Sequence, residues 1–181
     1  MKQLLLCITL MMVAASTLAA QDDPNAFRRF DINWNLASYA HIEEVGAWGG
    51  QFGVAFRFNR RIGIVGDFDA HRNNDSITTD LFAYRVGPRL YAHYGTRVTT
   101  FGHFVVGGGQ IKGSVISSGV TTSQSVNGFS MAWGGGIDVG IKPWFAIRAG
   151  QFDYDYFRFQ GTTVDGFRVG GGIVFRMGKG Q

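Results

Sequence analysis

From Asp31 to Met177 the sequence repeats one pattern eight times: apolar side chains at every second position, with small, polar or charged residues between them. Residues two apart share a face of a β-strand, so this period excludes an amphipathic helix and demands strands. "DINWNLASYA" sets Ile32, Trp34 and Leu36 against Asp31, Asn33 and Asn35. The second stretch puts Phe52, Val54, Phe56 and Phe58 on one side. The third sets Ile62, Ile64, Phe68 and Ala70 against Asp67 and Asp69, and the fourth sets Phe82, Tyr84, Val86 and Leu90 against Arg85 and Arg89. Residues 98–109 oppose Phe104 and Val106 to His103. In the sixth stretch Phe129, Met131, Trp133, Ile137, Val139 and Ile141 face away from Asp138. Residues 145–157 form the seventh, and the eighth sets Phe167, Val169, Ile173, Phe175 and Met177 against Arg168 and Arg176.

The connections alternate in length. Short links fall at 59–61, 93–96 and 142–144, and longer polar ones at 40–45, 72–80, 112–127 and 160–165. Such a meander closes into an up-and-down barrel. The interior of an eight-stranded barrel is just wide enough for side chains. Phe and Trp from every strand would overfill it, whereas small residues and a few charged pairs fit. The apolar face therefore points outward into lipid, and the fold expected is all-β: an eight-stranded antiparallel up-and-down transmembrane β-barrel.

The chain has 27 glycines, and three triplets, at 107–109, 134–136 and 170–172, lie inside alternating strands. "VVGGGQIKGS" is no phosphate loop, because its lysine precedes glycine and no helix pattern follows. Glycine within strands marks bends and close backbone approach, so the triplets read as barrel corners.

Charges inside such a barrel need partners. Asp67, Asp69, Arg85, Arg89, His103, Asp138, Asp153 and Arg168 are the candidate interior network. Folding the third strand onto the fourth sets Asp67 opposite Arg85. Similar folds set His103 near Asp138 and Asp153 near Arg168. Arg148 and Asp153 have opposite parity: either a β-bulge lies between them or Arg148 sits at the membrane rim. A polar plug along the axis is expected. A narrow channel lined by Asp67, Arg85, Arg89, His103 and Asp138 is the second reading.

Residues 1–20 have the form of a cleaved signal peptide, with Lys2, an uncharged apolar run and "STLAA" before Gln21. Residues 21–181 then form the barrel domain. The single cysteine, Cys7, falls inside that signal, so no disulfide framework is expected. Basic residues are scattered singly, which gives no nucleic-acid footprint despite a pI near 9.5. The histidines His41, His71, His93 and His103 have no ligand spacing and no "HxS" motif beside them, although Glu43, Glu44 and Asp75 are near in sequence. No catalytic residue, metal or cofactor is expected. Tyr91, Tyr94, Trp144 and Phe145 read as an interfacial girdle at the short-turn end.

The last strand, "RVGGGIVF", with Arg168, Gly170, Ile173 and Phe175, resembles the assembly signal of the small outer membrane β-barrel superfamily, the group of the OmpA transmembrane domain and OmpX-like proteins. "AIRAGQFDYDYFRF" is similar to the penultimate-strand motif of that group. Six residues, 176–181, follow Phe175, where many members end on the aromatic. The resemblance implies an outer membrane location, contact with outer membrane lipids and lipopolysaccharide, and insertion by the barrel assembly machinery. It leaves two roles open, a scaffold whose loops meet surface partners, above all through residues 112–127, and a narrow channel.

Overall fold

Each alternating stretch is a strand in the computed structural model, which describes residues 28–42, 45–74, 78–117 and 120–179. The strands are β1 (Arg28–Ile42), β2 (Val45–Arg57), β3 (Ile62–Asn74), β4 (Thr78–Tyr94), β5 (Val98–Ser117), β6 (Val120–Lys142), β7 (Phe145–Phe159) and β8 (Thr162–Lys179). Every neighbour is antiparallel, and β8 returns to β1 to close the barrel. The segment read as a signal peptide lies outside the described residues, as do Glu43, Glu44 and Asp75.

The faces fall as the alternation requires. Asp31, Asn33 and Asn35 are buried in the lumen, while Trp34 and Leu36 on the same strand are 55% and 59% exposed. Phe52, Phe68, Tyr84, Phe104, Phe129 and Phe152 continue the outward apolar surface around the barrel. Such a surface is unfavourable in water and favourable in hydrocarbon.

Two bulges re-phase the pattern. In β7 the register against β8 shifts between Arg148 and Gln151, so Arg148 and Asp153 both point inward despite their parity. Arg148 is therefore a lumen residue and not a rim residue. In β1 a shift between Asn35 and Ser38 turns Leu36 and Ala37 both outward and brings Ser38 and Ala40 inside.

All four long connections read from the sequence turn out to be mostly strand, and in 72–80 β3 and β4 stay paired to Asn74 and Thr78. β5 and β6 stay paired up to Ser117 and Val120, through most of residues 112–127. β8 begins at Thr162 after a turn of Gln160 and Gly161, whose φ of 46° and 92° are the left-handed pair of a tight two-residue hairpin. β1 and β2 reach Ile42 and Val45. Above the lipid a strand pair needs no oily face, so it loses the alternation that would announce it.

Tyr91 is a further correction. It shares the parity of Arg89, points into the lumen and is 4% exposed, so it takes no part in an outer girdle. Trp144 and Phe145 pack instead with Phe175 at that end.

Each of the two glycines Gly107 and Gly172 lets a neighbouring strand come close. A Cβ on Gly107 would stand 2.0 Å from the carbonyl oxygen of Tyr84. On Gly172 it would stand 2.0 Å from that of Trp34, on the seam where β8 meets β1. No side chain fits at either place.

Candidate functional site

The inward face gathers six arginines (Arg57, Arg85, Arg89, Arg148, Arg168, Arg176) and six aspartates (Asp31, Asp67, Asp69, Asp138, Asp153, Asp155) among its buried residues. Equal numbers of opposite charge let a narrow lumen hold them without net charge, provided each finds a partner.

Arg168 of β8 lies at the centre. Its guanidinium is 2.5 Å from Asp69 and 2.9 Å from Asp153, with Asp155 at 3.6 Å. Arg85 of β4 reaches Asp155 across the lumen at 2.5 Å, contacts Asp69 and stands 3.5 Å from Asp67, the residue directly opposite it. Asp153 also faces the Nε2 of His103 at 2.8 Å, and Arg89 stands 2.9 Å from the other ring nitrogen. Gln151 donates to Asp153 at 2.5 Å.

Towards the short-turn end, Arg148 donates to Asp138 at 2.8 and 3.3 Å, and Arg176 stands 3.9 Å from Asp138. Arg57 binds Asp31 at 2.8 and 2.5 Å. Its guanidinium carbon lies 4.0 Å from the ring centre of Tyr91. Phe101 is held between two cations, with Arg89 and Arg148 each 4.4 Å from its ring centre. Phe101→Leu removes both contacts while keeping an apolar side chain. The expected loss is on the order of 2 kcal/mol for a desolvated pair, read as a lower urea midpoint for unfolding from lipid vesicles.

Strand pairing places Asp153 directly opposite Arg168. It does not bring His103 to Asp138. The β5–β6 register sets His103 opposite Gly134 and Asp138 opposite Thr99. The hairpin turns between Ser117 and Val120, which sets the partner of His103 four residues short of Asp138.

Further residues complete the site. Asp155 shares the parity of Asp153, and Arg57 that of the inward side of β2, so alternation was sufficient to find both. Ser38 was hidden by the β1 bulge, and it lies 2.9 Å from Nε2 of His71. His71 is buried in the lumen. Asn35 donates to Gln51 at 2.7 Å and to Gln151 at 3.0 Å, and Gln51 donates to Asp67 at 3.0 Å.

Above these charges Leu81, Ala83, Phe157 and Phe159 form an apolar cluster, with Ile111, Val126 and Val164 packed against it. Phe157 and Phe159 stack with ring centres 5.7 Å apart. Of the residues resembling an assembly signal, Arg168 is in the lumen, Gly170 lies beside Ser38, Ile173 pairs with Trp34, and Phe175 is on the outer face.

Solved structures share this architecture at low sequence identity. Ail, the attachment invasion locus protein of Yersinia pestis, solved with the heparin analogue sucrose octasulfate, has a TM-score of 0.54 at 20% identity, over 81% of this chain and 97% of its own. Neisserial surface protein A has a TM-score of 0.59 at 13% identity, covering 82% and 96%. OprG from Pseudomonas aeruginosa has 0.54 at 9% identity, covering 83% and 96%. No curated protein matches the sequence significantly. The family model of the outer membrane protein beta-barrel domain matches residues 5–177. With that match spanning nearly the whole sequence and a closed eight-stranded barrel beneath it, the chain belongs to the outer membrane protein beta-barrel family.

Proposed function

We propose that this outer membrane barrel has a plugged polar interior and acts as a scaffold that holds its extracellular hairpins, chiefly β5–β6, out to surface partners. The observation that supports this reading most is the double closure of the lumen. Eleven of the twelve charged side chains that fill its length pair with an opposite charge, Arg89 contacts His103, and the cluster of Leu81, Phe157 and Phe159 lies over them. Moving an arginine out of such a network to open a path leaves aspartates buried without a counter-charge.

In this reading the chain is exported by its signal peptide and inserted by the assembly machinery through Arg168, Gly170, Ile173 and Phe175. Its surroundings are outer membrane lipids and lipopolysaccharide. The outward row Arg72, Asp80, Lys112 suits that setting. Arg72 donates to Asp80 at 2.5 Å, and Lys112 stands opposite Asp80, which leaves one positive charge free for a headgroup phosphate. The role is non-enzymatic: lipid A from cells with and without the protein should give the same mass spectrum.

One observation favours the channel instead. Neither amide atom of the buried Asn33 has a hydrogen-bonding partner, and Asp31 and Asn35 on the same strand each keep one oxygen without a hydrogen bond. Buried polar groups of this kind are ordinarily satisfied by water. Planar-bilayer conductance separates the two roles. The plugged scaffold should show only rare, small openings, and Arg85→Ala should raise their frequency. Sustained conductance from the unaltered protein would establish the channel and sink the plug.

A further inference from the structure

The charge balance of the lumen holds for the whole and not for its halves. Nearest the short turns lie Arg57, Arg89, Arg148 and Arg176 with only Asp31 and Asp138. Farther up, Arg85 and Arg168 face four aspartates. The two lower aspartates are already taken. Oδ2 of Asp31 accepts both bonds from Arg57, and Asp138 accepts both from Arg148. Arg89 and Arg176 are left without a carboxylate of their own.

Arg89 donates to Nδ1 of His103. Arginine only donates, so that ring nitrogen accepts, and the imidazole is the neutral tautomer whose Nε2–H faces Asp153. It gives Arg89 no counter-charge. The Phe101 ring offers a π-face at 4.4 Å, and the Nε of Arg89 still has no partner. Arg176 stands 3.9 Å from Asp138, and neither its Nε nor its Nη2 makes a hydrogen bond. These two N–H groups share one edge of the guanidinium, the fork that grips two oxygens of one oxyanion. Both arginines are buried, Arg89 at 1% and Arg176 at 9% exposure. Attraction from the aspartates farther up supplies no acceptor to these N–H groups.

One acceptor on this wall is bare as well. Oδ1 of Asp31 has no hydrogen bond, and Asp31 pairs directly with Arg176 across the β1–β8 seam. An occupant that satisfies this set offers two oxygens to the fork, negative charge to the arginines and a proton to Asp31. Water carries no charge, chloride has a single centre, and sulfate has no proton near neutral pH. The way in is basic. Arg61, Arg97 and Lys142 are exposed at the short turns, and among the described residues no exposed acidic side chain stands at this end. Such a rim concentrates anions at the opening.

We propose that the short-turn end of the lumen binds one free hydrogen phosphate ion. Arg176 is the fork, Arg89 the second counter-charge and Asp31 the proton acceptor. The site needs only the closed barrel and goes beyond the surface-interaction reading.

The full chain in phosphatidylcholine nanodiscs, with arginine Nε resonances followed by NMR, tests it. Inorganic phosphate added at constant ionic strength should move the Arg176 and Arg89 resonances saturably and leave those of Arg85 and Arg168 in place. Sulfate should bind at least tenfold more weakly, and chloride should move neither. Arg176→Lys keeps the charge but loses the fork. Its phosphate affinity, read at Arg89, should fall at least tenfold while its unboiled gel mobility stays that of the parent. Phosphate that moves nothing overturns the site. So does an equal response to chloride, which is screening, an equal response to sulfate, or parental affinity in Arg176→Lys. If that variant gives no fast band, the parent resonances and the sulfate comparison decide alone. Phosphatidylglycerol nanodiscs in phosphate-free buffer separate a lipid headgroup from the free ion. Both resonances should stay in place there, and movement overturns a free ion as the occupant.

Discussion

Arg168→Met is expected to lower barrel stability more than any other single change in the lumen. The guanidinium serves Asp69, Asp153 and Asp155 together, and methionine leaves each of these buried carboxylates with one counter-charge fewer. Removing one member of a buried ion pair costs about 3–5 kcal/mol. The loss should appear as a lower urea midpoint in lipid vesicles and a lower temperature for the shift from the fast, folded gel band to the slow one. Adding Asp153→Asn should recover part of it, since that removes one orphaned charge. A midpoint for Arg168→Met within about 0.5 kcal/mol of the parent, the range of an ordinary surface change, would mean the network contributes no stability.

Gly172→Val is expected to prevent closure altogether. Its Cβ would lie 2.0 Å from the Trp34 carbonyl oxygen and 2.6 Å from the Asn35 Cα, both backbone atoms of β1. Neither moves without breaking the β1–β8 ladder, which is the last seam of the cylinder. The unboiled sample should then lack the fast band. Gly113→Val is the control: nothing lies within 4 Å of a Cβ there, so its fast band should persist. If Gly172→Val folds like Gly113→Val, the close approach of β8 to β1 has been misjudged.

Strand number, face and membrane setting were legible because a lipid-facing strand is forced to alternate. Phe52 through Phe58 and Phe167 through Met177 leave no other choice of side. Parity also carried the pairing of Asp153 with Arg168, because a two-residue period fixes which residues share the lumen. It failed wherever one extra residue changes phase. The bulge at Leu36 and Ala37 hid Ser38 and its contact with His71, and the bulge after Arg148 left two positions open for that arginine. Register needs hairpin tips, and a Ser/Thr-rich stretch resembles a loop even when it is paired. That is why His103 was set against Asp138, when it meets Asp153 and Arg89. Tyr91 was misplaced for a simpler reason, since its nearness to a turn was given more weight than its parity with Arg89.

The cross-lumen contacts also constrain the order of assembly. Arg85 on β4 meets Asp155 on β7, Arg168 on β8 meets Asp69 on β3, and Asn35 on β1 meets Gln151 on β7. None of these joins strands adjacent in the sheet, so no hairpin or partial sheet can form them. A half-zipped barrel therefore carries arginines and aspartates that only water can satisfy, and hydrocarbon refuses it. Burial in the bilayer and closure of the cylinder are then one concerted event, with the interior acting as a proofreader that admits only the finished ring.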